Sequence, residues 1–229
     1  MKTKIKIWTT TLILLLLPIL MYAQEKPIRV ACVGNSITEG AGWGEKAYPA
    51  QLGALLGRGY DVRNFGLGGR THMKKGDFPY RKEEIFEHAK EFDPQIVIIK
   101  LGTNDSKPWN WKYKDDFFND YVELIKEFRQ NDRNPQIFVC FPPPVFKDGF
   151  GITNSIIHDN IMPIIDSVKK TCNTLLIDFN STMINDSTFF PDGIHPNGDG
   201  YGIMAKIASD AVKANPIGII KKNPESERK

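Results

Sequence analysis

Residues 95–101 of this 229-residue chain read Gln95-Ile96-Val97-Ile98-Ile99-Lys100-Leu101, an almost unbroken β-branched and apolar run. A strand with one face in water alternates apolar and polar side chains, whereas a strand covered on both faces need not. The run therefore predicts a central strand in a sheet sandwiched between helices. Four further strand-like runs, at 28–33, 62–65, 136–141 and 175–178, are separated by helical patterns near 47–56, 81–92, 115–130, 155–172 and 199–214. The pattern at 115–130 is the clearest, with Phe117, Phe118, Tyr121, Leu124, Ile125 and Phe128 recurring at helical spacing. Alternating strands and helices predict an α/β fold with a five-stranded parallel sheet, right-handed crossovers and helices on both faces. No Pro/Gly/Ser-rich linker and no internal repeat divides the chain beyond residue 23, and the length suits one domain.

Residues 1–23 stand apart. Lys2, Lys4 and Lys6 form a basic start, residues 12–20 a short apolar stretch broken by Pro18, and Met21-Tyr22-Ala23 a small-residue cleavage site. This pattern predicts a cleaved secretory signal peptide rather than a retained span. The expected protein is secreted or periplasmic, with no stable membrane insertion after cleavage. No cysteine stands at the cleavage point to carry a lipid. The expected organisation is a signal peptide at 1–23, one folded domain at 24–218 and a polar tail at 219–229.

Removing the signal peptide also decides the charge. The full chain carries +3, and residues 1–23 hold three lysines with no Arg, Asp or Glu, so the remainder is neutral. A neutral domain has no electrostatic footprint for nucleic acid. Of the three cysteines, Cys32 and Cys140 lie inside strand-like runs and Cys172 ends a helical one. The expectation is buried, reduced thiols packing as small apolar groups.

In open parallel sheets, ligands bind beyond the carboxyl ends of the strands. Ser36, Gly69 and Asn104 each follow one of the first three strands and are expected at that edge. Gly34-Asn35-Ser36-Ile37-Thr38 places a hydroxyl where the chain leaves the first strand, although a serine there also serves as a helix N-cap. The Gly-x-Ser-x-Gly nucleophile elbow is absent. The glycines of Asn64-Phe65-Gly66-Leu67-Gly68-Gly69-Arg70-Thr71 can bring a backbone N–H close to a ligand oxygen, or simply make a loop. There is no Gly-Lys-Ser/Thr phosphate loop, and the glycine-rich stretch from Gly40 to Gly44 does not match a dinucleotide fingerprint.

Leu101-Gly102-Thr103-Asn104-Asp105 offers an amide for developing negative charge, or an ordinary Asx-turn. Asp192-Gly193-Ile194-His195-Pro196 places a carboxylate one turn from an imidazole, able to hold one ring nitrogen and leave the other as a base. His88 and His158 lie in polar helical stretches and are expected to be solvated or structural. His72, just after the glycine loop, is a candidate to approach the cleft. No zinc-ligand spacing joins the histidines and cysteines, so no metal is expected.

In this order, the four blocks resemble the SGNH (GDSL-type) hydrolase superfamily, from Val30 to the helix after His195. The resemblance implies a flavodoxin-like three-layer α/β/α sandwich and an ester hydrolase that needs no metal or organic cofactor. It implies Ser36 as nucleophile, His195 as base and Asp192 as the group that orients the imidazole. It also implies an oxyanion hole made by the backbone N–H groups of Ser36 and Gly69 with the Asn104 side chain. Asn35 stands where many members carry Asp.

Trp109 and Trp111, beyond the Asn104 block, are candidate platforms for a sugar face, or else anchors for the following helix. Export, neutrality and the lack of a long apolar lid favour a small acyl group on a polar substrate. The resemblance likewise points to carbohydrate O-acetylesterase-like members, with a small-molecule or polysaccharide ester as substrate. Two alternatives stand beside this. A lysophospholipase or broad acyl-ester hydrolase would prefer long acyl chains, and a non-catalytic glycan-binding domain would keep Ser36 and His195 out of reach of each other.

Overall fold

A computed structural model describes residues 26–131 and 133–217. The expected signal peptide and polar tail lie outside the described residues. In chain order the elements are β1 (Ile28–Gly34), α1 (Ser36–Glu39), α2 (Tyr48–Leu56), β2 (Tyr60–Gly66), α3 (Glu84–Glu91), β3 (Ile96–Lys100) and α4 (Pro108–Trp111). They continue with α5 (Phe117–Phe128), β4 (Gln136–Phe141), α6 (Asn154–Ile156), α7 (Met162–Cys172), β5 (Leu175–Asp178) and α8 (Gly198–Ala214). All strand pairs are parallel and the order is β2-β1-β3-β4-β5. The expected three-layer α/β/α sandwich is thus observed.

The unbroken apolar run of β3 now has its physical reason. Val97 and Ile99 pack with Phe86, Tyr121, Leu124 and Ile165 of α3, α5 and α7. Ile96 and Ile98 pack on the opposite face with Tyr48 and Leu52 of α2 and Tyr201, Met204 and Ala208 of α8. Both faces are dry, so the strand has no solvent face to mark. On α5, Phe117, Tyr121, Leu124, Ile125 and Phe128 form the buried stripe. Truncating one such leucine to alanine typically costs about 2–5 kcal/mol, because the cavity only partly collapses.

Two expected helices begin or run differently. The pattern at 81–92 opens with a 3₁₀ turn at Tyr80–Lys82, and α3 starts only at Glu84 because Glu83 is extended and paired with Arg70. The pattern at 155–172 runs through α6, a π-helical turn at Ile157–Ile161 and then α7. Pro163 lies just beyond the turn. Its missing N–H and its ring disfavour a tight α-helical turn before it, and widening relieves both.

The strand order places the site. From β1 the chain crosses first to β2 on one side and later reaches β3 on the other, which makes the β1/β3 carboxyl edge the topological switch point. Gly34 lets this edge close. A Cβ there would lie 2.1 Å from Thr38 Oγ1 and 2.7 Å from Lys100 O, so only glycine permits α1 and β3 to approach so nearly. No helix among the described residues is long and apolar enough to cross a membrane.

Candidate active site

Asn35, not Ser36, caps α1. Its Oδ1 accepts from Ile37 N at 3.2 Å, which leaves the Ser36 hydroxyl free to face the cleft. Ser36 Oγ lies 2.8 Å from His195 Nε2. His195 Nδ1 lies 2.7 Å from Asp192 Oδ2. An ionised carboxylate can only accept, so Nδ1 carries the ring proton and Nε2 meets the serine as an acceptor. Asp192 Oδ1 also accepts from the backbone N–H groups of Ile194 (2.8 Å) and His195 (2.7 Å).

Partial burial pushes the Asp192 carboxyl upward. The donors from His195 and Ile194 outweigh that effect and hold it below the usual carboxylate range. The segment itself hangs between β5 and α8. It is tied by Phe146 N donating to Gly193 O (2.8 Å), Asn197 N donating to Phe189 O (2.7 Å) and Gln51 Nε2 donating to Gly198 O (3.0 Å).

The three expected donors converge on the same edge. Gly69 has φ +78°, a left-handed conformation natural to glycine, and a Cβ there would meet nothing within 4 Å, so its surroundings are open. Among the described residues, the Ser36 and Gly69 N–H groups have no acceptor outside the regular elements. Asn104 is nearly buried. One N–H of its amide donates to Arg70 O at 3.1 Å, and its own backbone carbonyl accepts from Asn110 Nδ2 at 2.9 Å. The second amide hydrogen remains for a ligand.

Two sequence expectations are corrected. His72 does not line the cleft. It is fully buried, with its ring against Phe117 and Tyr121, Nε2 3.0 Å from Phe117 O, and its backbone N–H donating to Asp105. Trp111 is an anchor rather than a platform, because its ring meets Phe117 edge-on at 5.5 Å and packs on the core. Trp109 remains a surface ring. It is 49% exposed, its Nε1 donates to Asp77 Oδ2 (2.9 Å), and it covers Gly151, where a Cβ would sit 2.3 Å from the indole. His88 and His158 are largely exposed, and the three thiols are unpaired.

Further residues contribute around the site. Asp105 accepts from the backbone N–H groups of His72 (3.2 Å) and Met73 (3.0 Å), and so clamps the loop after Gly69 to the Asn104 turn. Phe150, 71% exposed, lies 6.2 Å from the His195 ring, centroid to centroid. Phe78, 54% exposed, sits under the Arg70 guanidinium at 5.7 Å. Phe150, Trp109 and Phe78 leave an aromatic rim on this side of the molecule. Asp105 shows in the sequence as part of a turn, and Phe78 and Phe150 belong to segments 74–80 and 142–151, which the sequence offers as pocket walls. Among the described residues, no group of three His, Cys, Asp or Glu side chains is arranged to hold a metal ion.

Comparison with known proteins accords with this geometry. Residues 32–203 match the GDSL-like lipase/acylhydrolase family. An acetylxylan esterase of Xylanibacter ruminicola is 43% identical over 211 residues, covering 83% of this chain and 44% of that protein. A cellulase/esterase of Acetivibrio thermocellus is 25% identical over 169 residues, covering 74% of this chain and 20% of that protein. The chain therefore spans less than half the length of these curated relatives. Among solved structures, a carbohydrate acetylesterase from Sinorhizobium meliloti shares the fold with a TM-score of 0.65 at 19% identity, over 82% of this chain and 99% of that one. An acetyl xylan esterase does so with a TM-score of 0.66 at 20% identity, over 81% and 100%. The family match runs from within β1 into α8 and takes in every block of the site: this chain belongs to the GDSL-like lipase/acylhydrolase family.

Proposed function

We propose that the chain is an exported serine esterase that removes O-acetyl groups from carbohydrates, with residues 24–218 as its hydrolase domain. The observation that carries this reading is the continuous contact from Ser36 Oγ through His195 to Asp192, with both links under 3 Å. His195 Nε2 takes the hydroxyl proton as Ser36 attacks the acetyl carbonyl, and Asp192 stabilises the imidazolium that results. The Ser36 and Gly69 N–H groups and the Asn104 amide receive the negative charge on the carbonyl oxygen. The imidazolium then protonates the departing sugar oxygen. Water, deprotonated by His195, releases acetate from Ser36.

The acyl group and substrate class are supported by the similarity to an acetylxylan esterase and a carbohydrate acetylesterase. The exposed rings of Trp109, Phe150 and Phe78 supply apolar faces suited to sugar rings. Export is supported by the composition of residues 1–23. The test is acetate release from acetylated xylo-oligosaccharides, alongside nitrophenyl esters of short and long acyl chains. Ser36→Ala should abolish turnover with the circular-dichroism spectrum and melting temperature unchanged. Near-wild-type turnover in that variant overturns the mechanism, and preference for long acyl chains replaces the substrate with a lipid ester.

A further inference from the structure

Lys100 takes no part in the mechanism above, yet it is a fully buried cation at the end of β3. It pairs in register with Gly34 and lies on the sheet face that carries Cys32 and Cys140. Its Nζ donates to Asn35 Oδ1 at 2.8 Å and to Thr103 Oγ1 at 3.0 Å. Asn35 immediately precedes Ser36, and the same Oδ1 caps α1. Thr103 immediately precedes Asn104. Among the described residues, no other side-chain hydrogen bond joins the Ser36 turn to the Asn104 turn, and no carboxylate lies within ion-pairing distance of Nζ.

We propose that Lys100 is a positioning residue for ester hydrolysis: by bridging Asn35 and Thr103 it sets the spacing of Ser36 from Asn104, and hence the oxyanion site the two share. The proposal rests on the esterase reading. The two turns open different crossovers, β1 to β2 and β3 to β4, so the sheet register brings them near without fixing their side-chain donors. Oxyanion donors act through distances of about 2.7–3.1 Å, and small displacements cost rate steeply. A buried ammonium donating to both turns is a stiff link, since charge-assisted hydrogen bonds are about twice as strong as neutral ones.

The link also depends on pH. Burial lowers the Lys100 amine from its ordinary 10.5 to about 7. The titratable groups facing it are Cys140 from β4 and Asp105 from the turn beyond Thr103. Cys32 of β1 and Tyr48 of α2 lie on the same side. Burial pushes Cys32 up to about 12 and lifts Cys140 and Tyr48 well above their ordinary values, so all three stay neutral as Lys100 titrates. As pH rises through 7, the bridge loses its charge and becomes a weaker donor.

The experiment is steady-state hydrolysis of 4-nitrophenyl acetate from pH 5.5 to 9 by wild type, Lys100→Met and Asn35→Asp, each with a melting temperature. Lys100→Met should lower kcat at least about tenfold at pH 6.5, with KM within about twofold and no fall in melting temperature. Asn35→Asp gives the amine a carboxylate partner and should move the alkaline decline of kcat upward by about one pH unit or more. A Lys100→Met variant with kcat within about twofold of wild type overturns the proposal, as does a loss of kcat matched by a lower melting temperature. So does an Asn35→Asp profile superimposable on that of wild type. Wild-type protein inactive on every ester overturns the esterase reading and this proposal together, whereas an active wild type with an equally active Lys100→Met variant overturns the proposal alone.

Discussion

Lys100→Met should stabilise the protein in acid and do progressively less as the solution becomes alkaline. The folded amine titrates at about 7 and the unfolded one near its ordinary 10.5, so the unfolded chain binds more protons between those values. Wild-type stability contributed by this group therefore rises with pH across that window, and its full cost is present below it. At about 1.36 kcal/mol per pH unit, burial of the amine costs roughly 5 kcal/mol at pH 6 and roughly 2 kcal/mol at pH 9. Methionine removes that cost. It also leaves Thr103 Oγ1 without its donor and Asn35 Oδ1 with only Ile37 N, which costs about 1–3 kcal/mol at either pH. The variant should therefore gain about 2–4 kcal/mol at pH 6 and about nothing at pH 9. Urea unfolding followed by tryptophan fluorescence reads both values. Other buried groups that burial raises, such as Tyr80 and Tyr121, stay neutral over this range in both proteins and cancel in the difference. A stability difference that is equal at pH 6 and pH 9 would falsify the reasoning, because only a charge lost on burial makes it depend on pH.

Three further outcomes are expected. Asn104→Ala should lower kcat by about 10²–10³ with KM little changed, as for loss of one oxyanion donor; an effect confined to KM would make the amide a substrate-binding group instead. Asp192→Asn should lower kcat by about 10³ or more in the same assay, and a loss below about tenfold would mean that backbone contacts alone orient His195. Gly34→Ala should destabilise by about 2–4 kcal/mol in urea, since the new methyl group would press on the Lys100 carbonyl and the α1 turn. A midpoint unchanged from wild type would show that β1 and β3 can part without cost.

The inner strands β1, β3 and β4 were legible because burial on both faces of a sheet leaves a run of apolar side chains with no alternation to confuse it, whereas edge strand β2 exposes Arg63 and Asn64 and left only a short signal. Once their order along the chain was read, Ser36, Gly69 and Asn104 fell at one edge as a matter of direction. His195 and Asp192 were legible for a different reason, since three residues of spacing suffice for one carboxylate to reach one ring. His72 was misread because only nearness to the glycine loop spoke for it. Its direction is set by Asp105 and Phe117, which lie 33 and 45 residues away. Trp111 was ambiguous for a similar reason, because aromatic anchors and aromatic platforms look alike until the partner ring is known. Lys100 showed in the sequence only as an interruption of an apolar run. What it holds depends on where two turns from separate crossovers come to rest.

The site is assembled from supports of unequal firmness. Ser36 and Asn104 stand just beyond the ends of β1 and β3, two inner strands of the sheet and among the last parts of such a molecule to open. His195 sits on a segment outside the sheet, stitched down by a few backbone bonds and the side chain of Gln51. Local opening of that segment takes the proposed proton carrier away while the strands remain paired. Loss of activity and loss of fold are thus separable events in this protein. On the proposed mechanism, a molecule with its strands paired and this segment open has no base beside Ser36.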